Sequence, residues 1–473
     1  MSELPSPGPL PDPSGDVIEV RSPWSGALLG TVPNFDEVAV DRAIRKLAAY
    51  PEWTDSGMDT VLSRAAEVLS TRGLELSTLI SQEQGKPIHE ARDEVSLTIG
   101  LFESFCRAGY RLGQQFQPLA VEARIGARFG FTRQRPVGIN AIFTPNTFPL
   151  LIPAKLLLAS LAAGDRVVLK PASATPLSAK MLVDILVESG LSLHGVELLT
   201  GPGGTTGQAI CQHPLVDQVS CQGSLETFTA LRRSMGPIPL RSTHGATAVC
   251  AIAADADLDR AVADLVHQRF ENAGQTAIST CSVFVEASIA QGFLERLAAA
   301  IRSLQVGDPL APGTRIGPLA ERSRVSECLG LLQSLSASGA RLITGGSCLG
   351  SVVAPIVMAD VPPRHGALWN GQAYREVLGP FLTVTTLPNG LDDLGPLLDR
   401  RSQLVASIFC RDLDRATRIA TSLPVLNVHV NGIPTWRDGV VYTADGGARL
   451  GRRQVDERVK EVSIVQDIVF HPG

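Results

Sequence analysis

Lysine is scarce in this chain, with six residues against 36 arginines out of 42 basic side chains. Aromatic residues make up only 5% of the sequence. The eight cysteines are dispersed and form no Cys-x-x-Cys pair, which argues against a disulfide framework or a zinc site, and no metal is expected. No apolar run is long enough to span a bilayer, and no charged-then-apolar leader is present. No membrane role is therefore expected, and the cytoplasm is the default location. A net charge of −5 and a pI near 6.0 leave no electrostatic footprint for nucleic acid. No internal repeat of solenoid length is visible.

With 473 residues, the chain exceeds a single core and implies two or three domains. The Pro/Gly/Ser-rich opening, MSELPSPGPLPDPSGD, reads as a flexible tail. From Asp41 to about Leu112, apolar residues recur at helical spacing, with a break at Gly85 and Pro87. Ala123 to Gly138 alternates apolar and polar residues with arginine, which predicts two exposed strands reaching from the body, with a neighbouring subunit as one destination. Strands and helices then alternate. Strands are expected at Gly138–Phe143, Arg166–Leu169, Val196–Leu199 and Val216–Cys221. Helices are expected at Leu150–Ala163, Leu177–Ser189, Thr206–Cys211 and from Ser224. Thr175 followed by Pro176 has the form of a capped helix start. This alternation predicts a parallel, doubly wound α/β sheet, which binds ligands at the carboxyl ends of its strands. A second α/β region runs from near Thr247 to about Leu426. The β-type run Val462–Phe470 joins a sheet elsewhere or on a partner.

Three features fall on successive strand ends. Lys170 closes one strand, where a lysine either reaches a ribose hydroxyl or phosphate or simply lies in solvent. The Gly-rich turns Thr200–Gly207 and Gln222–Ser224 precede helices, whose N-terminal amides suit a pyrophosphate. Neither turn is the Gly-x-Gly-x-x-Gly fingerprint, and each alone also reads as a tight turn. Together they point to a dinucleotide site. Further on, NAGQTAISTC (Asn272–Cys281) joins a helical run to a β-rich one, and its one reactive side chain, Cys281, stands at the far end.

The chain resembles the aldehyde dehydrogenase superfamily over nearly its whole length. The resemblance is carried by LISQEQGKPIHEARDEV, RPVGINAIFTPNTFPLLIPAKLLLASLAAGDRVVLKPASATPLSA, HPLVDQVSCQGS, AADADLDRAV, FENAGQT and EVLGPFLTV. It leans toward the lactaldehyde, semialdehyde and non-phosphorylating glyceraldehyde-phosphate enzymes. The resemblance implies a Rossmann-like cofactor domain at 17–122 and 138–244 and an α/β catalytic-type domain at 245–454. It also implies a β-strand oligomerisation arm at 123–137 and 455–473, behind a tail at 1–16. A homodimer or homotetramer follows.

In that family a cysteine thiolate attacks the aldehyde, an asparagine amide holds the oxyanion, hydride leaves to NAD(P)+, and a glutamate activates water. Here the three positions hold other residues. Ala277 follows Gly274-Gln275-Thr276 where the cysteine is expected. Thr147 precedes Phe148-Pro149 where the asparagine is expected, and the glutamate position falls on Thr243, in a Leu240–Val249 stretch with no carboxylate. Cys281 comes four residues too late, in the wall behind the site or the next strand.

The cofactor positions implied by the resemblance are better kept. They comprise Thr144, Lys170, Ser173, Gly203, Gly223, Ser224 and, for the nicotinamide ribose, Glu376. Ser173 replaces a frequent glutamate and so permits the 2′-phosphate of NADP+ as well as NAD+. Phe228 stands where a glycine is expected, a bulky ring that would narrow the pyrophosphate path if it points there, and Leu378 replaces a phenylalanine. Two readings follow. One is a pseudoenzyme that binds NADP+ and works by binding or by assembly, including with an active paralogue. The other is an oxidoreductase with a rewired or non-covalent site, for which Cys281 as nucleophile, His244 as base and Asn146 as oxyanion donor are the candidates.

Overall fold

The computed structural model describes residues 16–50, 57–108, 115–118, 129–192, 195–244, 247–276, 279–363, 365–366, 368, 377–398, 403–425, 427–434, 441–443, 447–449 and 462–470. A hairpin of β1 (Val17–Arg21) and β2 (Leu28–Pro33) leads into four helices: α1 (Glu37–Ala48), α2 (Met58–Thr71), α3 (Gly73–Gln84) and α4 (Ile88–Ala108). Gly85, at φ 93°, ends α3 in the left-handed region that glycine tolerates. Short β3 (Gln115–Pro118) and β4 (Phe129–Pro136) follow.

The first large unit alternates strand and helix: β5 (Ile139–Phe143), α5 (Leu151–Ala163), β6 (Arg166–Lys170), α6 (Pro176–Glu188) and β7 (Val196–Leu198). A π-helical turn at Gly203–Gly207 then runs into α7 (Gln208–Gln212), followed by β8 (Gln218–Gly223), α8 (Leu225–Ser234) and β9 (Leu240–His244). All pairings are parallel, in the order β7-β6-β5-β8-β9. The pleat sends alternate residues to opposite faces. Ile142, Val167 and Leu169 pack with α2 to α6 on one face, and Ile139, Ala141, Phe143 and Val168 pack with α1 and α7 on the other. Both faces are covered, as a parallel sheet requires.

The second unit comprises β10 (Thr247–Ile252), α9 (Leu258–Phe270), β11 (Thr280–Glu286), α10 (Ala290–Arg302), α11 (Arg322–Ala337), β12 (Arg341–Thr344), β13 (Cys348–Leu349), β14 (Val352–Val353), β15 (Ile356–Ala359), β16 (Phe381–Leu387), α12 (Leu394–Leu397), β17 (Gln403–Phe409), α13 (Leu413–Ser422) and β18 (Asn427–Val430). Its sheet has the order β12-β15-β16-β11-β10-β17-β18, and one large apolar cluster surrounds it. β19 (Val441–Thr443) and β20 (Gly447–Arg449) form a hairpin, and β21 (Ser463–Phe470) closes the described chain.

Two expectations are met in part, and two need correction. The Arg-rich stretch contributes one described strand, β4, with 119–128 outside the described residues; the other strand of that sheet beside it, β3, lies upstream of the stretch. The final β-run pairs within its own chain: β21 runs antiparallel to β4 from Ser463↔Pro136 to Phe470↔Phe129. The turn expected to be helical from Thr206 begins at Gly203 as a wider π turn. There the Thr206 hydroxyl donates to the Phe35 carbonyl at 2.6 Å. Finally, Thr175 does not cap α6 through its side chain; its buried hydroxyl has no hydrogen-bond partner. Glu83 of α3 caps α6 instead, accepting from the Leu177 and Ser178 N–H groups and the Ser178 hydroxyl. A carboxylate satisfies more of the orphan donors at a helix start than one hydroxyl could.

Candidate functional site

The five-stranded order places β6 and β7 on one side of β5 and β8 and β9 on the other. The crevice beyond the carboxyl ends of β5 and β8 is therefore the topological switch point, where doubly wound sheets take ligands. Lys170 ends β6 there, 6% exposed, and its Nζ donates to the neighbouring Pro171 carbonyl at 3.3 Å. Burial pulls its pKa down to about 8, partly offset by Cys211, so the amine is mostly charged at neutral pH. Thr144, one residue past β5, donates its N–H to the Lys170 carbonyl at 3.3 Å, and its buried Oγ1 makes no hydrogen bond.

Ser173 donates its hydroxyl to the Gly201 carbonyl at 2.8 Å, tying the turn after β6 to the Gly-rich turn after β7. Gly201 sits at φ 154°, and a Cβ there would strike the Thr206 side chain. Gly203 is exposed at the start of the π turn. Gly223 ends β8, and Ser224 caps α8 by accepting the Thr227 N–H at 3.2 Å. Phe228 lies half-buried in the first turns of α8. These elements bring Thr144, Lys170, Ser173, Gly203, Gly223 and Ser224 to the same end of one sheet.

The segment after β5 is held from behind by a buried polar network. The Thr147 carbonyl accepts from Lys86 Nζ at 2.9 Å and from Asn272 Nδ2 at 3.0 Å. Lys86 also pairs with Glu94 at 2.6 Å, with side chains 1% and 0% exposed, and lies 4.2 Å above the Phe148 ring. The other Glu94 oxygen accepts from the Leu150 and Leu151 N–H groups at 2.9 and 3.0 Å, capping α5. Sequence reasoning did not single out Lys86, Glu83 or Glu94. Their signal was the density of charge around the Gly85-Lys86-Pro87 break, on helices that otherwise bury apolar residues.

The bend Glu271–Gln275 approaches Thr147 from the second unit. Asn272, Ala273 and Gly274 have φ values of 50°, 50° and 71°, three successive left-handed residues of which only one is glycine. The conformation is held from several sides. The fully buried Arg269 guanidinium donates to the carbonyls of Phe381, Val377, Gly274 and Gly379. Glu90 accepts the Asn272 N–H at 2.7 Å. Gln275 donates to the Asn272 carbonyl at 3.0 Å and accepts the Ala320 N–H at 3.1 Å. Burial, with Glu271 alongside, raises the Glu90 pKa to about 8.

Ala277 and Glu376 lie outside the described residues. The backbone of Thr243 and His244 ends β9 beside Gln222 and Gly223, at the crevice end of the sheet. Asn146 is half-buried, and its Nδ2 donates to Glu321 Oε1 at 3.0 Å. Cys281 is the second residue of β11, a strand between β10 and β16. It is 5% exposed, with its sulfur 3.9 Å from the Ala248 carbonyl and from the Ser282 hydroxyl. It belongs to the apolar cluster that includes Val249 and Cys250. The fold thus joins Thr147 directly to the bend before position 277, while Cys281 sits inside the second sheet.

Comparison with known proteins gives concordant results. A family model described as the aldehyde dehydrogenase family matches residues 11–467. Succinate-semialdehyde dehydrogenase [NADP(+)] of Escherichia coli (strain K12) is 30% identical over 88% of this chain and 87% of its own. 3,6-Anhydro-alpha-L-galactose dehydrogenase of Streptomyces coelicolor is 30% identical over 89% and 86%. Among solved structures, succinate-semialdehyde dehydrogenase from Burkholderia pseudomallei matches with a TM-score of 0.88 at 26% identity, covering 97% of this chain and 95% of that one.

Proposed function

The chain belongs to the aldehyde dehydrogenase family, with semialdehyde dehydrogenases among its relatives, and we propose that it is a member that binds NADP+ without conventional thiol-based turnover. The observation that carries this is Ala277, which stands directly after Gly274-Gln275-Thr276, where the family's nucleophile is expected. A methyl group attacks nothing. Thr147 and Thr243 stand at the positions that match the oxyanion donor and the water-activating glutamate. Removing one oxyanion donor alone costs on the order of 10²–10³ in rate, and losing the nucleophile costs more. The burial of Cys281 within β11 supports the same reading, because an aldehyde would have to enter the sheet to meet it.

The residues at the crevice fit a dinucleotide. Lys170 and the Thr144 hydroxyl offer a buried donor and a buried donor–acceptor to ribose hydroxyls, the start of α8 would suit a diphosphate, and Ser173 in place of a glutamate would permit a 2′-phosphate. When bound, the nicotinamide would accept hydride; this chain's own residues bind and orient it. No group of three His, Cys, Asp or Glu side chains suited to a metal ion occurs among the described residues, and no helix among them is long and apolar enough to cross a membrane. The proposal includes a cytoplasmic location and assembly as a homodimer or homotetramer, or with an active paralogue. The β21-β4-β3 sheet, hydrogen-bonded to neither large sheet, supports assembly as the counterpart of the family's oligomerisation arm.

The second reading, an oxidoreductase with a rewired or non-covalent site, draws on the intact bend at Asn272–Gln275 and its contact with Thr147. One experiment separates the two: aldehyde-dependent formation of NADPH and NADH over succinic and glutaric semialdehydes, short hydroxyaldehydes and aromatic aldehydes, with NADP+ binding measured alongside. Binding without turnover is expected. Turnover above a heat-inactivated control would overturn the pseudoenzyme reading, and absence of binding would overturn the nucleotide site.

A further inference from the structure

The hydrogen bond between Asn146 and Glu321 crosses from one sheet unit to the other. Asn146 lies three residues past the end of β5, at the switch point, and Glu321 is the residue before α11. The Glu321 side chain makes no capping bond to the backbone of its own helix; its Oε1 accepts from Asn146 Nδ2 at 3.0 Å, while Oε2 lies 3.5 Å from the Ser323 hydroxyl. The bond completes a ring. Asn272 donates to the Thr147 carbonyl, Gln275 donates to the Asn272 carbonyl, and Ala320 donates to the Gln275 side chain. Glu321 follows Ala320, and Asn146 precedes Thr147. Charges gather at the same mouth: Arg324 pairs with Glu327 at 2.9 Å and also feels Glu321 and, from α8, Glu226.

We propose that the Asn146–Glu321 pair is a latch across the nucleotide crevice that an entering dinucleotide must open. This rests on the reading of the crevice as an NADP+ site. In the closed form the hydrogen bond holds the two units together across the mouth of the crevice. The binding-competent form is then a fraction of the population, and the observed affinity falls by that fraction. The latch also ties nucleotide entry to the bend before position 277.

The test uses the full chain with Asn146→Ala, Glu321→Ala and Glu321→Gln, read by calorimetric titration with NADP+ and by hydrogen exchange without nucleotide. Asn146→Ala and Glu321→Ala are expected to raise exchange at 144–150 and at 320–328 together. They should tighten NADP+ binding about tenfold, the scale of one hydrogen bond to a charged group. Glu321→Gln, which keeps an acceptor but removes the charge, tightens it less and guards against misfolding of the alanine variants. Unchanged exchange at both segments overturns the latch. Unchanged or weaker binding of NADP+ by the variants, when the parent binds it, overturns the gating role. Raised exchange with no NADP+ binding by any protein overturns the gating role together with the nucleotide reading, and leaves the pair as a structural tie.

Discussion

Lys86→Met is the sharpest test of the buried network behind the candidate site. The substitution keeps most of the side-chain volume but removes the charge that faces Glu94 at 2.6 Å, the donor to the Thr147 carbonyl and the cation above Phe148. Glu94 is then a buried carboxylate with no countercharge, which costs about 3–5 kcal/mol in typical cases. Its contacts to the Leu150 and Leu151 amides persist, so the lower part of that range is expected. For a unit of this size, about 3–4 kcal/mol corresponds to a fall in Tm of roughly 6–16 °C. Adding Glu94→Gln should recover part of the loss, because the amide keeps one acceptor for the α5 start and carries no charge. The assay is urea unfolding at pH 7, followed by far-ultraviolet circular dichroism, for the parent, both single variants and the double variant. If Lys86→Met lies within about 1 kcal/mol of the parent, or the double variant is no more stable than Lys86→Met, the pair is not the buried countercharge described here.

Other predictions concern the bend, pH and the crevice. Glu90 has a folded pKa near 8, above its ordinary 4.5, so the folded chain holds a proton that the unfolded chain releases. Its contribution is therefore lost as pH rises from about 4.5 to about 8, at up to roughly 1.4 kcal/mol per pH unit. Glu83 and Asp165, both raised to about 7 by burial, act in the same direction. Urea midpoints should fall between pH 5 and 8, and Glu90→Gln should flatten the fall; parallel profiles would refute this. Gly274→Ala would drive a methyl group into the Gly379 carbonyl at a left-handed φ, and should destabilise by about 2–4 kcal/mol or prevent soluble expression. A variant as stable as the parent would contradict the described bend. Lys170→Met should weaken NADP+ binding about tenfold or more by calorimetry; equal affinity would remove Lys170 from the site. If the parent shows any aldehyde turnover, Cys281→Ala should leave it unchanged, and its loss would restore Cys281 as a nucleophile.

Much of the fold was legible because local rules agreed. The apolar run closed by Gly164 and the Pro176 start gave α5 and α6 within a residue or two, and successive strand ends pointed to the crevice. What was not legible came from tertiary partners. Thr175 has the form of a cap, yet a carboxylate more than ninety residues earlier takes the role. The final β-run gave no sign of which strand it would join. The left-handed conformation of Asn272 and Ala273 is dictated by Glu90, Arg269 and Thr147, none of which is close in sequence apart from Arg269. For Cys281 the resemblance leaves the wall behind the site or the next strand; the second unit's topology puts it in β11, deep in the sheet.

The bend at Asn272–Gln275 has a consequence for how such a chain changes over generations. Every restraint described on it comes from a buried guanidinium, a carboxyl group, a lysine-held carbonyl and an amide. Arg269, Glu90, Lys86 and Gln275 are therefore constrained by folding itself, whatever chemistry the chain performs. Substitutions that alter reactivity without touching these four would leave the bend in place, and the body that carries it available for tasks in which shape and binding suffice.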